Sequence, residues 1–207
     1  MAKNLHTAVL TGDVINSTRL ASAERRQLLP VMEQALEKAK RLLPDFKPEI
    51  FQGDSFQGFS NEAVPAALKT AVYLICYLLK ENIGLRVSIG IGAVTLETGS
   101  SLTSDGPAFL HSGRNMEMLK KKEWRIAVSS AEEEKQKEWD VHNASLNYLL
   151  ERCTNLQAEA LVQMLEGQTQ QQAAANIGVK QPAIQQRLQA AGWSLMQTIL
   201  HRFETQF

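Results

Sequence analysis

The sequence predicts an α/β chain: a βαββαβ core followed by an all-helical segment. Three observations lead there. Apolar periodicity over the first 94 residues runs in the order strand, helix, strand, strand, helix, strand. Two Gly-Asp dipeptides, Gly12-Asp13 and Gly53-Asp54, each close an apolar run, and their aspartates lie 41 residues apart. One amphipathic helix fits between them and would return the chain beside its start. From Asn143 onward, strand patterns disappear and the composition turns to Gln and Ala.

Leu5 to Val14 reads as a buried strand. Ser22 is placed to cap the next helix, with Glu24 favourable in its first turn. Leu28, Met32, Ala35, Ala39 and Leu42 recur at helical spacing, and Pro44 stops the run. Glu49 to Gln52 and Ser55 to Ser60 form a hairpin with Asp54 at its tip. A second helix spans about Glu62 to Glu81. Its stretch from Ala63 to Leu79 is the most apolar of the chain, but it is short for a bilayer and interrupted by Lys69, so it reads as a buried helix. Leu85 to Val94 alternates as a strand, and its glycines predict close packing over it. This order is the ferredoxin-like split βαβ pattern.

A Ser/Thr/Gly loop from Glu97 to Gly106 follows, then a helix over Pro107 to Lys121 and a strand over Trp124 to Ser129. Ser130 and Glu133 have the spacing of a capping box for a charged helix over Glu132 to Asp140. The expected organisation is residues 1–130 as the α/β unit, 131–154 as a charged helical linker and 155–207 as the helical unit. Within the last, Asn155 to Leu165 is a helix closed by Gly167. Thr169 and Gln172 form another capping box, and Gln181-Pro182 restarts a helix after Gly178. Met196, Ile199, Leu200 and Phe203 mark the inner face of the last one.

Hydrophobic residues make up 44% of the 207, enough for a proper core. Lys+Arg and Asp+Glu are both 22, so no net charge announces a nucleic-acid or membrane partner. Only two cysteines are present, Cys76 and Cys153. Neither a disulfide framework nor a cysteine zinc site is expected from them, and a cytoplasmic location follows. The N-terminus enters a strand pattern without a signal peptide. His6, His111, His142 and His201 are too scattered for a metal cluster, and Ser129 and Ser130 have no nearby His for a hydrolase triad.

The chemistry resides in Asp13 and Asp54. Two carboxylates brought together at strand ends are a hard-oxygen site suited to Mg²⁺ or Mn²⁺ and the phosphates it carries. One Gly-Asp is an ordinary turn; two in a βαββ frame are harder to dismiss. Asn16, Ser17 and Thr18 lead into the first helix, where free backbone N–H groups favour a phosphate, although turn and cap chemistry explains these residues nearly as well.

Leu10-Thr11-Gly12-Asp13-Val14-Ile15-Asn16-Ser17-Thr18-Arg19-Leu20 resembles the first metal-binding strand and loop of class III nucleotidyl cyclases. Gly53-Asp54-Ser55-Phe56-Gln57-Gly58-Phe59 resembles their second metal hairpin, and Leu85 to Gly92 their following core strand. Gly106 to Leu119, with Arg114, resembles the helix carrying their transition-state residues. The resemblance covers about Leu5 to Ser130. It implies a palm-like fold and a site formed between two subunits, hence a homodimer. Asp13, Asp54 and the Val14 backbone carbonyl would be the metal ligands, with Arg114 as a catalytic residue. With its helical tail, the chain is similar to the SatD-type bacterial family. The family's transition-state Asn, four residues before the Arg, falls on Leu110. Its purine-selecting Lys or Glu falls on Ile50, and that residue's partner on Thr103. The metal half of the pattern is kept and the base-reading half is not, which argues against ordinary cyclase activity. Arg114 with Lys120, Lys121, Lys122 and Arg125 could form a phosphate-facing cluster opposite the acid pair, but cations also favour a helix C-terminus, and the three lysines read as a solvated helix end.

Gln170 to Ala191 resembles the helix-turn-helix of bacterial regulators, with Ala174, Gly178, Ile184 and Leu188 at the packing positions. Plain helical packing has the same signature. A recognition helix over Gln181 to Ala191 would turn Lys180, Gln181, Gln185, Gln186 and Arg187 toward the major groove, Gln pairing with adenine and Arg with guanine. From Glu151 to Phe207 there are four Lys/Arg and four Asp/Glu, so phosphate neutralisation gives this segment little non-specific affinity. The leading expectation is a regulator whose α/β unit binds a metal-chelated nucleotide or another phosphate ligand, coupled to a DNA-binding tail. The rivals are a two-metal phosphoryl-transfer enzyme with unusual substrate choice and an inactive interaction scaffold.

Overall fold

A computed structural model describes residues 7–19 and 22–207. Leu5, His6, Leu20 and the side chain of Glu24, all used in the reading above, lie outside the described residues. The elements are β1 (Thr7–Val14), α1 (Ser22–Ala39), β2 (Lys47–Phe51), β3 (Ser55–Ser60), α2 (Ala67–Lys80), β4 (Leu85–Gly92), α3 (Pro107–Lys122) and β5 (Ile126–Ser130). They continue as α4 (Glu133–Arg152), α5 (Asn155–Leu165), α6 (Gln170–Ile177), α7 (Gln181–Ala190) and α8 (Trp193–Gln206). The five strands form one sheet in the order β2-β3-β1-β4-β5. β1 is antiparallel to both β3 and β4, β2 is antiparallel to β3, and β5 runs parallel to β4. The first four strands therefore have ferredoxin-like order, and β5 extends that sheet by one parallel strand.

Alternation along β1 sends its residues to two different cores. Ala8, Leu10 and Val14 join the large cluster containing α1 and α2, whereas Val9 packs with Phe59, Ala108 and Phe109 beneath α3. On α1 the buried residues are Leu28, Met32, Ala35, Leu36 and Ala39. Ser22, expected as a cap, is instead the first helical residue, and Leu42 falls in the turn after the helix has ended. The close packing expected over β4 is provided by helix backbone. A Cβ on Gly90 would collide with the Ala108 carbonyl and the Ser112 amide of α3. Ser88 Oγ donates to the Ser112 carbonyl at 2.6 Å in the same seam.

α2 is apolar on all sides because it is covered on all sides. Ala67, Leu68 and Thr70 through Leu78 are buried between the sheet and the C-terminal helices. Tyr73 Oη ties α2 to the end of α5 by donating to the Glu166 carboxylate at 2.9 Å. Among the described residues, no helix is long and apolar enough to cross a membrane.

The charged helix expected to stop near Asp140 continues to Arg152, because Asn143, Leu146, Asn147 and Leu150 keep one face buried. Asn143 and Asn147 close the free edge of β5. Asn143 accepts from Val128 N at 2.8 Å and donates to the Val128 carbonyl at 2.9 Å. Asn147 accepts from Arg125 N at 2.6 Å and Ile126 N at 3.0 Å, and donates to the Ile126 carbonyl at 2.7 Å. Two side-chain amides thus do what a sixth strand would do for these backbone groups. The Ser130/Glu133 capping box does not form. Gln136 takes the Ser130 amide at 2.9 Å, and Ser130 Oγ accepts from Glu132 N at 3.2 Å.

The C-terminal helices share the large core with α2 and the sheet. The Thr169/Gln172 capping box forms, and Gly178, at φ 79°, makes the left-handed turn into α7. Trp139 of α4 is fully buried against Phe203 of α8, with ring centroids 5.2 Å apart. Beside it, Glu138 accepts from Arg202 at 2.6 and 3.0 Å and from Gln206 at 2.9 Å. The Arg202 hydrogen bonds hold the Glu138 carboxyl down at about 2, against 4.5 for a free glutamate. A depressed carboxyl stabilises the fold above its unfolded pKa and loses that contribution on protonation. The α4–α8 tie is therefore present above pH 4.5 and lost as pH falls toward 2. Glu138→Gln is expected to flatten the acid limb of stability in that window, and urea midpoints measured between pH 2 and 6 check it.

Candidate functional site

The two Gly-Asp segments meet at one end of the sheet. β1 pairs with β3 so that Asp13 lies opposite Ser55, the residue after Asp54. The hairpin tip holds Gln52 and Gly53 in left-handed conformations, at φ 57° and 78°. The loop has three residues, 52–54, between the paired Phe51 and Ser55, and Gly53 takes its left-handed conformation without steric strain. The tip is locked to the end of β1, where Val14 N donates to the Asp54 carbonyl at 2.9 Å.

The result is a convergence of carboxylates. Ser55 Oγ lies 3.3 Å from Asp13 Oδ1 and 3.3 Å from Asp54 Oδ1. Ser17 Oγ donates to the other Asp54 oxygen at 2.5 Å. Two carboxylates facing one hydroxyl repel each other unless a cation is near. Two cations of the same chain are near. Lys120 Nζ, on the last turn of α3, is 3.2 Å from Asp13 Oδ1. Arg86, the cross-strand partner of Asp13 on β4, places a guanidinium nitrogen 3.6 Å from Asp13 Oδ2. Among the described residues, Arg86 Nε is buried without a hydrogen-bond partner.

The residues expected at the site are only partly brought together. Asp13, Asp54, Val14 and Ser17 share it. Ser17 serves the carboxylate, so its hydroxyl is already engaged rather than free for a phosphate. Asn16 and Thr18 are exposed beside it. Arg114 is exposed on α3 and, among the described residues, makes no hydrogen bond or ion pair; its charge is felt by His111, the residue one turn earlier. Lys120, expected in a solvated helix end, is the α3 cation that reaches the acid pair. Leu110, at the position expected to carry an Asn, is 55% exposed. Glu49, near Ile50, accepts from Ser101 Oγ at 2.6 Å and Ser100 Oγ at 2.9 Å, which pins the 97–106 loop to β2 and holds its carboxyl below the usual range.

Ser55 and Arg86 carry no site expectation in the sequence, and Lys120 is expected at a solvated helix end rather than at the site. Arg86 has a readable signal: a lone charge in an alternating strand, on the parity of Ser88, Gly90 and Gly92. Lys120 has a weaker one, its place in the basic run after Arg114, but which cation of that run reaches the acids depends on how far α3 slides along the sheet. The sequence offers Ser129 no neighbouring histidine, yet the fold brings His111 Nδ1 within 3.5 Å of its hydroxyl. Among the described residues no carboxylate bonds that ring, so no triad is formed.

A cavity of about 340 Å³ opens beside the hairpin tip, lined by Ser17, Arg25, Leu28, Leu29, Gln52, Gly53 and Asp54. Asp13 lies outside it, on the α3 side. Among the described residues no group of three acidic, His or Cys side chains could hold a metal by itself. That donor set fits Mg²⁺ arriving with phosphates, since Mg²⁺ is commonly held by one or two carboxylates plus ligand oxygens and water.

In the C-terminal helices, Ala174, Ile184 and Leu188 are buried, as expected for two crossed helices. Lys180, Gln181, Gln185 and Gln186 are exposed along α7. Gln181 Nε2 donates to Gln170 Oε1 at 3.3 Å, and Arg187 is half-buried and pairs with Glu159 of α5 at 2.8 Å.

No protein-family model matches the chain, and no curated protein matches it. Among solved structures, the chain is similar to a bacterial light-regulated adenylyl cyclase at 16% identity and a TM-score of 0.47, over 60% of this chain and 43% of that one. It is similar to the adenylyl cyclase CyaB from P. aeruginosa at 16% identity and a TM-score of 0.42, over 55% and 71% of the two chains. It is similar to the monomeric guanylyl cyclase domain of the RhoGC fusion protein from the aquatic fungus Blastocladiella emersonii at 14% identity and a TM-score of 0.48, over 69% and 86%. The chain spans less than half the length of the first of these.

Proposed function

We propose that this chain is a cytoplasmic regulatory protein of the SatD type, whose palm-like unit binds a Mg²⁺- or Mn²⁺-chelated nucleotide or a related phosphate ligand. The reading is carried by one observation: Asp13, near the end of β1, and Asp54, in the β2–β3 turn, reach the same Ser55 hydroxyl. In it, Asp13, Asp54 and the Val14 carbonyl hold the cation, and Arg25 on the cavity wall faces the ligand's other groups. The cation supplies charge neutralisation for the phosphates; the chain supplies position. Residues 1–130 form the ligand unit, 131–154 the connection and 155–207 a helix-turn-helix that binds DNA.

The DNA half is supported by the exposed Lys180, Gln181, Gln185 and Gln186 on one short helix behind a glycine turn. With Arg187 engaged by Glu159, Lys180 is the main cation available there, so one unit neutralises about one or two phosphates and has a shallow salt dependence, with a log–log slope of about −1 to −2. Two units presented by a homodimer raise the effective affinity without new contacts. Ligand binding changes DNA affinity only if the ligand prefers one arrangement of the two units over another.

A second reading is a phosphoryl-transfer enzyme with unusual substrate selection, favoured by the cation Lys120 beside the acid pair. Calorimetry with Mg²⁺ and a panel of nucleoside triphosphates, followed by product analysis, separates the two. Binding without turnover, lost by about tenfold or more in Asp54→Ala, is the expected result. Turnover abolished in Asp54→Ala would favour the enzyme. No heat from any ligand, with Asp54→Ala unchanged beyond stability, would leave only a scaffold.

A further inference from the structure

The acid pair does not wait bare for its cation. Asp13 is already paired within the chain to Lys120 at 3.2 Å and to Arg86 at 3.6 Å. The two pairs differ in kind. The Arg86 side chain is 14% exposed and rises from the strand next to β1, so it is fixed by the sheet. The Lys120 side chain is 53% exposed, sits on the last turn of α3 and reaches Asp13 over a flexible four-carbon stem. Lys120 is free to swing into solvent, whereas Arg86 is confined by burial. Asp13 Oδ1, the oxygen that Lys120 contacts, is also the one within 3.3 Å of the Ser55 hydroxyl, which lies equally near Asp54 Oδ1. The ammonium therefore contacts the carboxylate oxygen that a cation held between the two acids would use.

We propose that Lys120 is a displaceable counter-cation of Asp13. It occupies the acid pair while no metal is bound, is displaced when a divalent cation enters, and then turns its ammonium to the phosphate that arrives with the cation. This inference rests on the reading of Asp13 and Asp54 as metal ligands. It assigns that ligand site a built-in discrimination: metal alone must compete with Lys120, whereas a metal-phosphate complex offers Lys120 a new partner. The site would respond to the chelated ligand and not to free Mg²⁺.

The test measures Mn²⁺ binding to the full chain by electron paramagnetic resonance, alone and with a non-hydrolysable triphosphate analogue, for the wild type, Lys120→Met and Lys120→Arg. Removing one exposed charge next to a divalent site changes affinity by about three- to tenfold. Lys120→Met is expected to bind Mn²⁺ alone about three- to tenfold more tightly and the Mn²⁺–analogue complex more weakly, with Lys120→Arg close to wild type in both. Circular dichroism spectra matching the wild type exclude misfolding. If Lys120→Met leaves Mn²⁺ affinity unchanged or weaker while the wild type binds, this proposal is overturned and the metal reading survives. If no variant binds Mn²⁺ in either form, both are overturned.

Discussion

Asn147→Leu is expected to lower stability by about 3–5 kcal/mol, since each buried polar group left unsatisfied costs about 1–3 kcal/mol and such losses do not add fully. The side chain is 1% exposed and saturated. Its carbonyl oxygen accepts from Arg125 N and Ile126 N, and its amide donates to the carbonyls of Ile126 and Asn143, both at 2.7 Å. Leucine matches the shape but satisfies none of these groups. The amides of Arg125 and Ile126 and the Ile126 carbonyl would then face an apolar side chain on the outer edge of β5. Urea unfolding monitored by circular dichroism measures the loss. An opened edge also invites strand pairing between molecules, so the variant is expected to self-associate in size-exclusion chromatography. A loss below about 1 kcal/mol, within the range of an ordinary net hydrogen bond, would show that solvent or a neighbouring strand closes this edge instead.

Gly90→Val is expected to cost about 3 kcal/mol or somewhat more, at the upper end of overpacking effects, because the obstacle is backbone and cannot rotate away. A Cβ there would lie 2.5 Å from Ser112 N and 3.1 Å from Ser112 Cβ, besides its clash with the Ala108 carbonyl. α3 must lift from β4, breaking the Ser88–Ser112 and Ser112–Thr11 hydrogen bonds of 2.6 and 2.8 Å in that seam. Gly92→Val is the control, since its closest contacts are 3.2 and 3.3 Å and a small shift accommodates them. Hydrogen exchange should show α3 amides accelerated in Gly90→Val and much less in Gly92→Val. Equal protection in both would mean that α3 does not depend on this close approach. The consequence extends to the site, because the same helix carries Lys120 to Asp13.

The difference between these two seams explains how much was legible in the sequence. Period-two and helical patterns carried the βαββαβ order, and the two Gly-Asp dipeptides marked the acid pair, because each is a local signal. The glycines of β4 foretold a close approach but not that a helix backbone would make it. Leu110 and Arg114 were read by register along α3, and register along a helix does not say which residues face the sheet's end. Six residues after Arg114, Lys120 is the one that does. Ser130 and Glu133 have capping spacing, but Gln136 wins the Ser130 amide once α4 is docked on β5. Asn143 and Asn147 look like ordinary helix-surface residues, four apart, until the parallel strand β5 leaves an open edge beside them. Arg187 carries the charge of a DNA contact, but Glu159 on α5 holds it. In each case the deciding partner is far away in the chain, and no single-sequence pattern records it.

We propose that Asp13 and Asp54 act on one cation. Crystals grown with Mn²⁺ and a non-hydrolysable triphosphate analogue, with data collected at the manganese absorption edge, test it directly. An anomalous peak is expected within about 2.0–2.3 Å of an oxygen from each carboxylate, the range for small divalent cations on hard oxygen ligands, with Lys120 moved off Asp13. A peak bound by neither carboxylate, or a triphosphate seated elsewhere with the Ser55-bridged pair intact, would contradict it.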